Sequence, residues 1–302
     1  MKTLRTPDER FADLPGYDFE PHYTDIPDGE GGSLRVHYID EGPPDADPVL
    51  LLHGEPSWAY LYRHMIRPLA DAGHRVIVPD QVGFGRSDKP AEQSDYSYAR
   101  HVTWMSSLIF DALDLSEITF FGQDWGGLIG LRLVTAQPER FARVAVSNTG
   151  LPTGDRSPSD AFMAWQKFSQ TSPVFPIGDI VNGGCLADLE PAVVAAYNAP
   201  FPDDSYKSGA RIWPSFVCTS PDDPEAQPNR EAWGVLQQFD KPFLCCFSDQ
   251  DPVTAGADKP FRHVVPGAQD QAHVTIEGAA HFLQEDKGPE LAQVLIDFID
   301  AN

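Results

Sequence analysis

Residues 118–130 read ITFFGQDWGGLIG. The first six, Ile118 to Gln123, form an apolar run rich in aromatic and β-branched residues, the composition of a buried strand. The run passes without a loop into Asp124-Trp125-Gly126-Gly127, the start of DWGGLIGLRLVTAQPERF, which reads as a helix. A strand that turns into a helix within one residue, flanked by small side chains, is the setting of a nucleophile elbow. Such a turn is sharp and strained and pushes its central side chain into a site. The central residue here is Asp124. At the amino end of a helix a carboxylate meets oriented N–H groups that favour its charged form. The spacing G-x-D-x-G alone also fits an ordinary helix N-cap aspartate.

Outward from this stretch, short β-rich runs alternate with helical patterns, which predicts a mostly parallel sheet covered on both faces. PHYTDIP and SLRVHYIDEG read as an opening hairpin. VLLLHGEP is a continuous apolar strand, followed by the helical stretch SWAYLYRHMIRPLADAG, which closes on Gly73. HRVIVPDQVGFG is a strand leading into a Gly-rich loop, and a helix runs from about Tyr98 to Leu113. RVAVSNTG supplies the strand after the elbow helix. Residues 151–224 then change character, being rich in Pro, Gly, Asp and aromatic residues with helical patches and no convincing strand. We read them as an inserted helical cap domain, and residues 1–150 and 225–302 as the core domain. The α/β rhythm resumes with REAWGVLQQF, PFLCCFSDQD, AHVTIEGAAH and the final helix PELAQVLIDFIDAN. The expected fold is an α/β-hydrolase: a mostly parallel eight-stranded sheet with helices on both faces and the cap between its last strands.

The 302 residues are 41% hydrophobic, enough to bury a full core. No stretch approaches the roughly 18 apolar residues of a membrane helix, and MKTLRTPDERFADL lacks the apolar run of a secretory signal, so the cytoplasm is the expected location, with no membrane partner. The formal charge is −23, from 45 acidic and 22 basic residues, and no basic patch interrupts it, which argues against a nucleic-acid partner. Aspartate exceeds glutamate and arginine exceeds lysine, a bias that fits either adaptation to a salt-rich cytosol or an ordinary acidic enzyme. Cys185, Cys218, Cys245 and Cys246 show no C-x-x-C spacing and read as reduced, buried thiols.

Two further elements support Asp124 as a nucleophile. His53-Gly54-Glu55-Pro56 follows the first buried strand, where hydrolases of this fold place one backbone donor of the oxyanion hole. The residue after the nucleophile places the other, which gives the N–H groups of Glu55 and Trp125. A strand-exit turn would also account for HGEP, since Gly and Pro suffice for one. His281, in GAAHFLQED after the last strand, completes the chain order nucleophile, acid, histidine. None of the nine histidines has a metal-ligand spacing such as H-E-x-x-H, so His281 reads as a general base and no metal is expected. The acid belongs after FLCCFSDQDP, which offers Asp249 and Asp251. Either can orient an imidazole, and the other is a turn residue. GFGRS lacks both the G-K-[ST] ending and the G-x-G-x-x-G spacing of phosphate loops, and no cofactor is expected.

Taken in order, HGEP, GFGRSDKP, QDWGG, AFMAW, APFPDDSY, DQDP and AHFLQED resemble the haloalkane dehalogenases, in particular the subfamily that pairs HGEP with a halide-binding tryptophan in the cap. The resemblance runs from RTPDERF to the final helix, and its motifs come from separate segments that agree in order. Position by position it implies Asp124 as nucleophile, His281 as base, Asp251 as acid, and Trp125 with the cap residue Trp165 as halide ligands. A sister subfamily takes its acid from the position that is Asn148 here, which favours Asp251. Ala280 departs from the glycine expected before the histidine. The partners implied are a small halogenated alkane, a halide ion and water, in a monomer or small homo-oligomer.

These residue types suit the chemistry. A carboxylate can displace halide from saturated carbon as an alkyl ester, dividing the reaction in two. Tryptophan N–H is a donor without an acceptor, suited to the departing anion. Without the resemblance, Trp165 would read as a packed cap aromatic. The nearest alternative is an epoxide hydrolase of the same fold, which would use two cap tyrosines, here Tyr197 and Tyr206. A fluoroacetate-type hydrolase should carry paired arginines, which are not seen beside the elbow. A non-catalytic ligand receptor would have no use for nucleophile, base, acid and both halide donors together.

Overall fold

The strand read from ITFFGQ lies at the middle of an eight-stranded sheet in the computed structural model, which describes residues 1–302. In chain order the strands are β1 (His22–Pro27), β2 (Ser33–Glu41), β3 (Pro48–Leu52), β4 (Arg75–Pro79), β5 (Ile118–Gln123), β6 (Phe141–Ser147), β7 (Phe243–Ser248) and β8 (Val274–Ile276). Their spatial order is β8-β7-β6-β5-β3-β4-β2-β1. The β1–β2 hairpin and the β2–β4 pair are antiparallel, and every other neighbouring pair is parallel. The central strands are buried on both faces, as their unbroken apolar runs require: Val49 to Leu52 are each no more than 1% exposed. Fully burying one such side chain contributes about 1.5–3 kcal/mol.

The parallel strands β3, β5, β6, β7 and β8 all end on the same edge of the sheet. Their exits carry, in turn, HGEP, Asp124, Asn148, Asp251 and His281, which is why residues as far apart in the chain as Glu55 and His281 can meet. Helices cover the faces: α1 (Arg63–Asp71), α2 (Tyr98–Ser106), α3 (Trp125–Ala136), α8 (Ala226–Leu236), α9 (Asp258–Val264) and α10 (Leu283–Ala301). The helix read from Tyr98 to Leu113 is α2 continued by a π-helical turn over Ser107–Ala112. Between β6 and α8 the chain builds α4 (Asp160–Thr171), α5 (Ile177–Gly183), α6 (Pro191–Asn198) and α7 (Ser208–Ile212), and no strand. The stretch AHVTIEGAAH forms less strand than its pattern suggests, only Val274–Ile276 at the edge of the sheet. No helix is long and apolar enough to cross a membrane. All four cysteines are free, and Cys218, Cys245 and Cys246 are buried.

Candidate active site

Backbone strain marks the first site residue. Asp124 adopts φ 51°, ψ −125°, a conformation that costs a side chain with a Cβ about 1–3 kcal/mol. The surroundings hold it there. Its N–H donates to the Asn148 carbonyl at 3.1 Å, and Thr149 Oγ1 donates to the Asp124 carbonyl at 2.7 Å. Gly126 lets the first turn of α3 press on the exit of β3, since a Cβ there would collide with the Leu52 carbonyl. The Asp124 carboxylate therefore projects from the sheet edge toward the loop after β3, where the Glu55 N–H donates to its Oδ1 at 2.7 Å. The other expected oxyanion donor, the Trp125 N–H, makes no hydrogen bond in this state.

His281 sits between β8 and α10 with its Nε2 3.6 Å from Asp124 Oδ2 and its Nδ1 3.0 Å from Asp251 Oδ2. Asp251 is also bound by the Val253 N–H at 2.9 Å and by the Thr254 hydroxyl. Asp249, the other aspartate of DQDP, accepts instead from the N–H groups of Gly278 and Ala279 at 2.9 and 3.3 Å. It ties the exit of β7 to the turn after β8 and does not reach the imidazole. Burial works to lower the pKa of His281, but Asp251 and Asp124 together outweigh it and hold the imidazole up at about 10. For Asp251 burial works upward, and His281 with the bonds from Thr254 and Val253 brings the carboxyl down to about 2.

The loop carrying His281 has two supports that sequence reasoning did not find. Gln123 Nε2 lies 3.2 Å from His281 Nε2 and donates to the His281 carbonyl at 3.1 Å. Asn148, passed over as an acid, donates through Nδ2 to the carbonyls of Ala280 and His281 at 2.9 and 3.1 Å. An asparagine bridging β6 to a loop over a hundred residues on leaves no mark in local sequence. Ala280 is not in the left-handed region, so its Cβ is accommodated where glycine was expected.

Asp124 opens into a cavity of about 370 Å³ lined by Glu55, Trp125, Trp165, Phe168, His281 and Phe282, among others. A second chamber of about 480 Å³ adjoins it, sharing Asp124, Phe162, Val217 and Val253. Of the six tryptophans, Trp104, Trp213 and Trp233 spend their indole N–H groups on internal acceptors, and Trp58 is buried outside the cavity. Trp125 and Trp165 are the two that line it, and neither indole N–H makes a hydrogen bond. Trp165 reaches the cavity from α4, stacked on Phe168 and Phe175 with ring centroids 5.9 and 5.8 Å away.

Residues 47–288 match the family described as alpha/beta hydrolase fold. The chain is 59% identical over 302 residues to a haloalkane dehalogenase of Psychrobacter cryohalolentis, covering 100% of this chain and 99% of that protein. It is 51% identical over 301 residues to one of Mycolicibacterium paratuberculosis, covering 100% and 99%. The chain belongs to the haloalkane dehalogenases. Among solved dehalogenase structures, the tetrameric enzyme of Paraglaciecola agarilytica superimposes with a TM-score of 0.90 at 37% identity, covering 97% of each chain. Members of the dehalogenase family are hydrolases acting on carbon–halide bonds.

Against that dehalogenase background, the two cap tyrosines of the epoxide alternative lie away from Asp124. Tyr197 is fully buried and donates its hydroxyl to Glu285 Oε1. Neither Tyr197 nor Tyr206 lines the cavity.

Proposed function

We propose that this chain hydrolyses haloalkanes to alcohol, halide and a proton, with Asp124 as nucleophile, His281 as base, Asp251 as its orienting acid, and the indoles of Trp125 and Trp165 as halide donors. The supporting observation is the convergence in one cavity of a strained carboxylate, two unpaired indole N–H groups and an imidazole backed by a second carboxylate. In the first step a carboxylate oxygen of Asp124 attacks the halogen-bearing carbon, the carbon–halogen bond breaks, and the halide leaves with the electron pair toward the indoles. In the second, water attacks the ester carbonyl carbon while His281 Nε2 takes its proton. The Glu55 N–H already holds one Asp124 oxygen, and the Trp125 N–H is the second donor for the oxyanion. Collapse expels the alkoxide, which takes the proton from the His281 imidazolium and leaves as the alcohol, and the carboxyl group that remains loses its proton.

Esterification also removes the negative charge that Asp124 presents to His281. The imidazole then loses one of the two carboxylates that hold its pKa up, and becomes a free base at the stage where a base is needed. Residues 151–224 act as a cap domain that brings Trp165 over Asp124, with residues 1–150 and 225–302 as the core that carries the other named groups.

The test is to separate the two steps. Replacing His281 with glutamine leaves displacement intact and blocks hydrolysis. Incubated with 1,2-dibromoethane, the variant should release about one bromide per active site and stop. Mass spectrometry of the digest should place a bromoethyl adduct on the peptide containing Asp124. Bromide release with an unmodified peptide would mean that water attacks the substrate directly, and Asp124 would lose its role.

A further inference from the structure

The Glu55 backbone is accounted for by the oxyanion hole, but its side chain is not. The residue is 3% exposed, lines the same cavity as Asp124, Trp125, Trp165 and His281, and its Oε1 has no hydrogen-bond partner. No cation pairs with it. Leaving a buried polar oxygen without a partner costs about 1–3 kcal/mol, so a purely structural glutamate here would be a poor choice over an apolar side chain. The Trp165 indole lines the cavity beside it, and the Glu55 backbone N–H donates to Asp124 Oδ1 at 2.7 Å.

These neighbours decide its charge state. Burial raises the pKa of Glu55 well above the ordinary carboxyl range, and the Asp124 charge adds to the shift, while His281 and Trp165 oppose it. The remaining titratable group lining the cavity is Asp179, on α5. An ionised Glu55 would occupy the Trp165 N–H and set a fixed anion where the halide has to form. A neutral Glu55 is a carboxylic acid with an O–H to donate within the cavity it lines.

We propose that the Glu55 side chain is a third halide-binding group, a neutral acid whose O–H joins the indole N–H groups of Trp125 and Trp165 and whose ionisation expels the halide. The proton stays on Glu55 throughout. It stabilises the leaving anion by hydrogen bonding and is not transferred. This rests on the reading of the cavity as a halide cradle. It adds that the cradle is gated from the alkaline side by the side chain of the residue whose backbone serves the oxyanion hole.

Bromide quenching of tryptophan fluorescence reads the affinity directly. It is measured from pH 6 to pH 10 in His281→Gln protein, so that titration of the imidazole does not contribute, with and without Glu55→Gln. Glutamine keeps the shape and a permanent N–H donor, and leaves the backbone N–H in place. With Glu55 present, the bromide Kd should rise ten-fold or more as the acid ionises, by analogy with the loss of about one charge-assisted hydrogen bond. With Glu55→Gln it should stay flat. A third variant, Glu55→Met, should bind bromide weakly at every pH. If Glu55→Gln follows the same pH curve as its parent, the side chain plays no part in halide binding and the proposal falls while the indole cradle stands. If the parent itself shows no saturable quenching and releases no halide from 1,2-dibromoethane, the reading of the cavity falls and takes the proposal with it.

Discussion

Asp249 and Asp251 are two residues apart and have opposite uses, one closing a turn and the other facing an imidazole. Asp251→Asn should reduce turnover by about 10⁴-fold, as loss of the orienting carboxylate does in a comparable triad, whereas Asp249→Asn should retain most of it. Steady-state halide release from the two variants decides the matter, and the reverse result would move the acid to Asp249. Asp251 and His281 together also carry a pH dependence. The pKa of His281 is held above the unfolded value of about 6.5, so its contribution to stability is complete below that pH and is lost as pH rises through about 10. The pKa of Asp251 is held below about 3.9, so its contribution is complete above that pH and is lost as pH falls through about 2. Thermal unfolding across pH should show the alkaline loss in the parent and a smaller one in His281→Gln. Equal alkaline losses would place the raised pKa elsewhere. Asp124 and His281 were legible in sequence because each follows a strand in the chain order that this chemistry uses. The choice between the two aspartates rested on family resemblance, because it depends on N–H groups nearly thirty residues further on. The Glu55 side chain was not legible at all, since a buried neutral acid and a turn glutamate look alike in a string of letters.

At the level of elements, the strand at 118–123 and the helix that starts at Trp125 fall where the apolar run and the small residues put them. Such boundaries are set locally. The packing of the segment between β6 and α8 is not, and one of its contacts is with a buried ion pair of the core that no pattern announces. Arg63 on α1 donates to Glu285 on α10, through Nη2 at 2.7 Å, and Tyr197 on α6 donates to the same carboxylate. The Arg63 and Glu285 side chains are 4% and 2% exposed. Glu285→Gln leaves a guanidinium buried without its counter-charge and should cost about 3–5 kcal/mol. Tyr197→Phe removes one donor from a carboxylate that keeps its arginine, and should cost about 1–2 kcal/mol. Denaturant unfolding of both variants checks the order. A Tyr197→Phe loss as large as the other would mean that the hydroxyl from α6 matters to stability as much as the counter-charge does.

The whole molecule carries a formal charge of −23, and its surface carboxylates repel one another. Screening shortens the reach of that repulsion from about 10 Å at 0.1 M salt to about 3 Å at 1 M. The melting temperature should therefore rise in molar potassium chloride, and a melting point indifferent to salt would remove the case for salt adaptation. Stability and activity also meet at one backbone position. The twist at Asp124, φ 51°, is one that glycine adopts without cost. A library selected only for thermal robustness would tend to exchange the aspartate for glycine, gaining stability and losing the nucleophile. Hardening this protein for use thus means screening for turnover at every round, because the most tempting single improvement in the elbow is the one that ends catalysis.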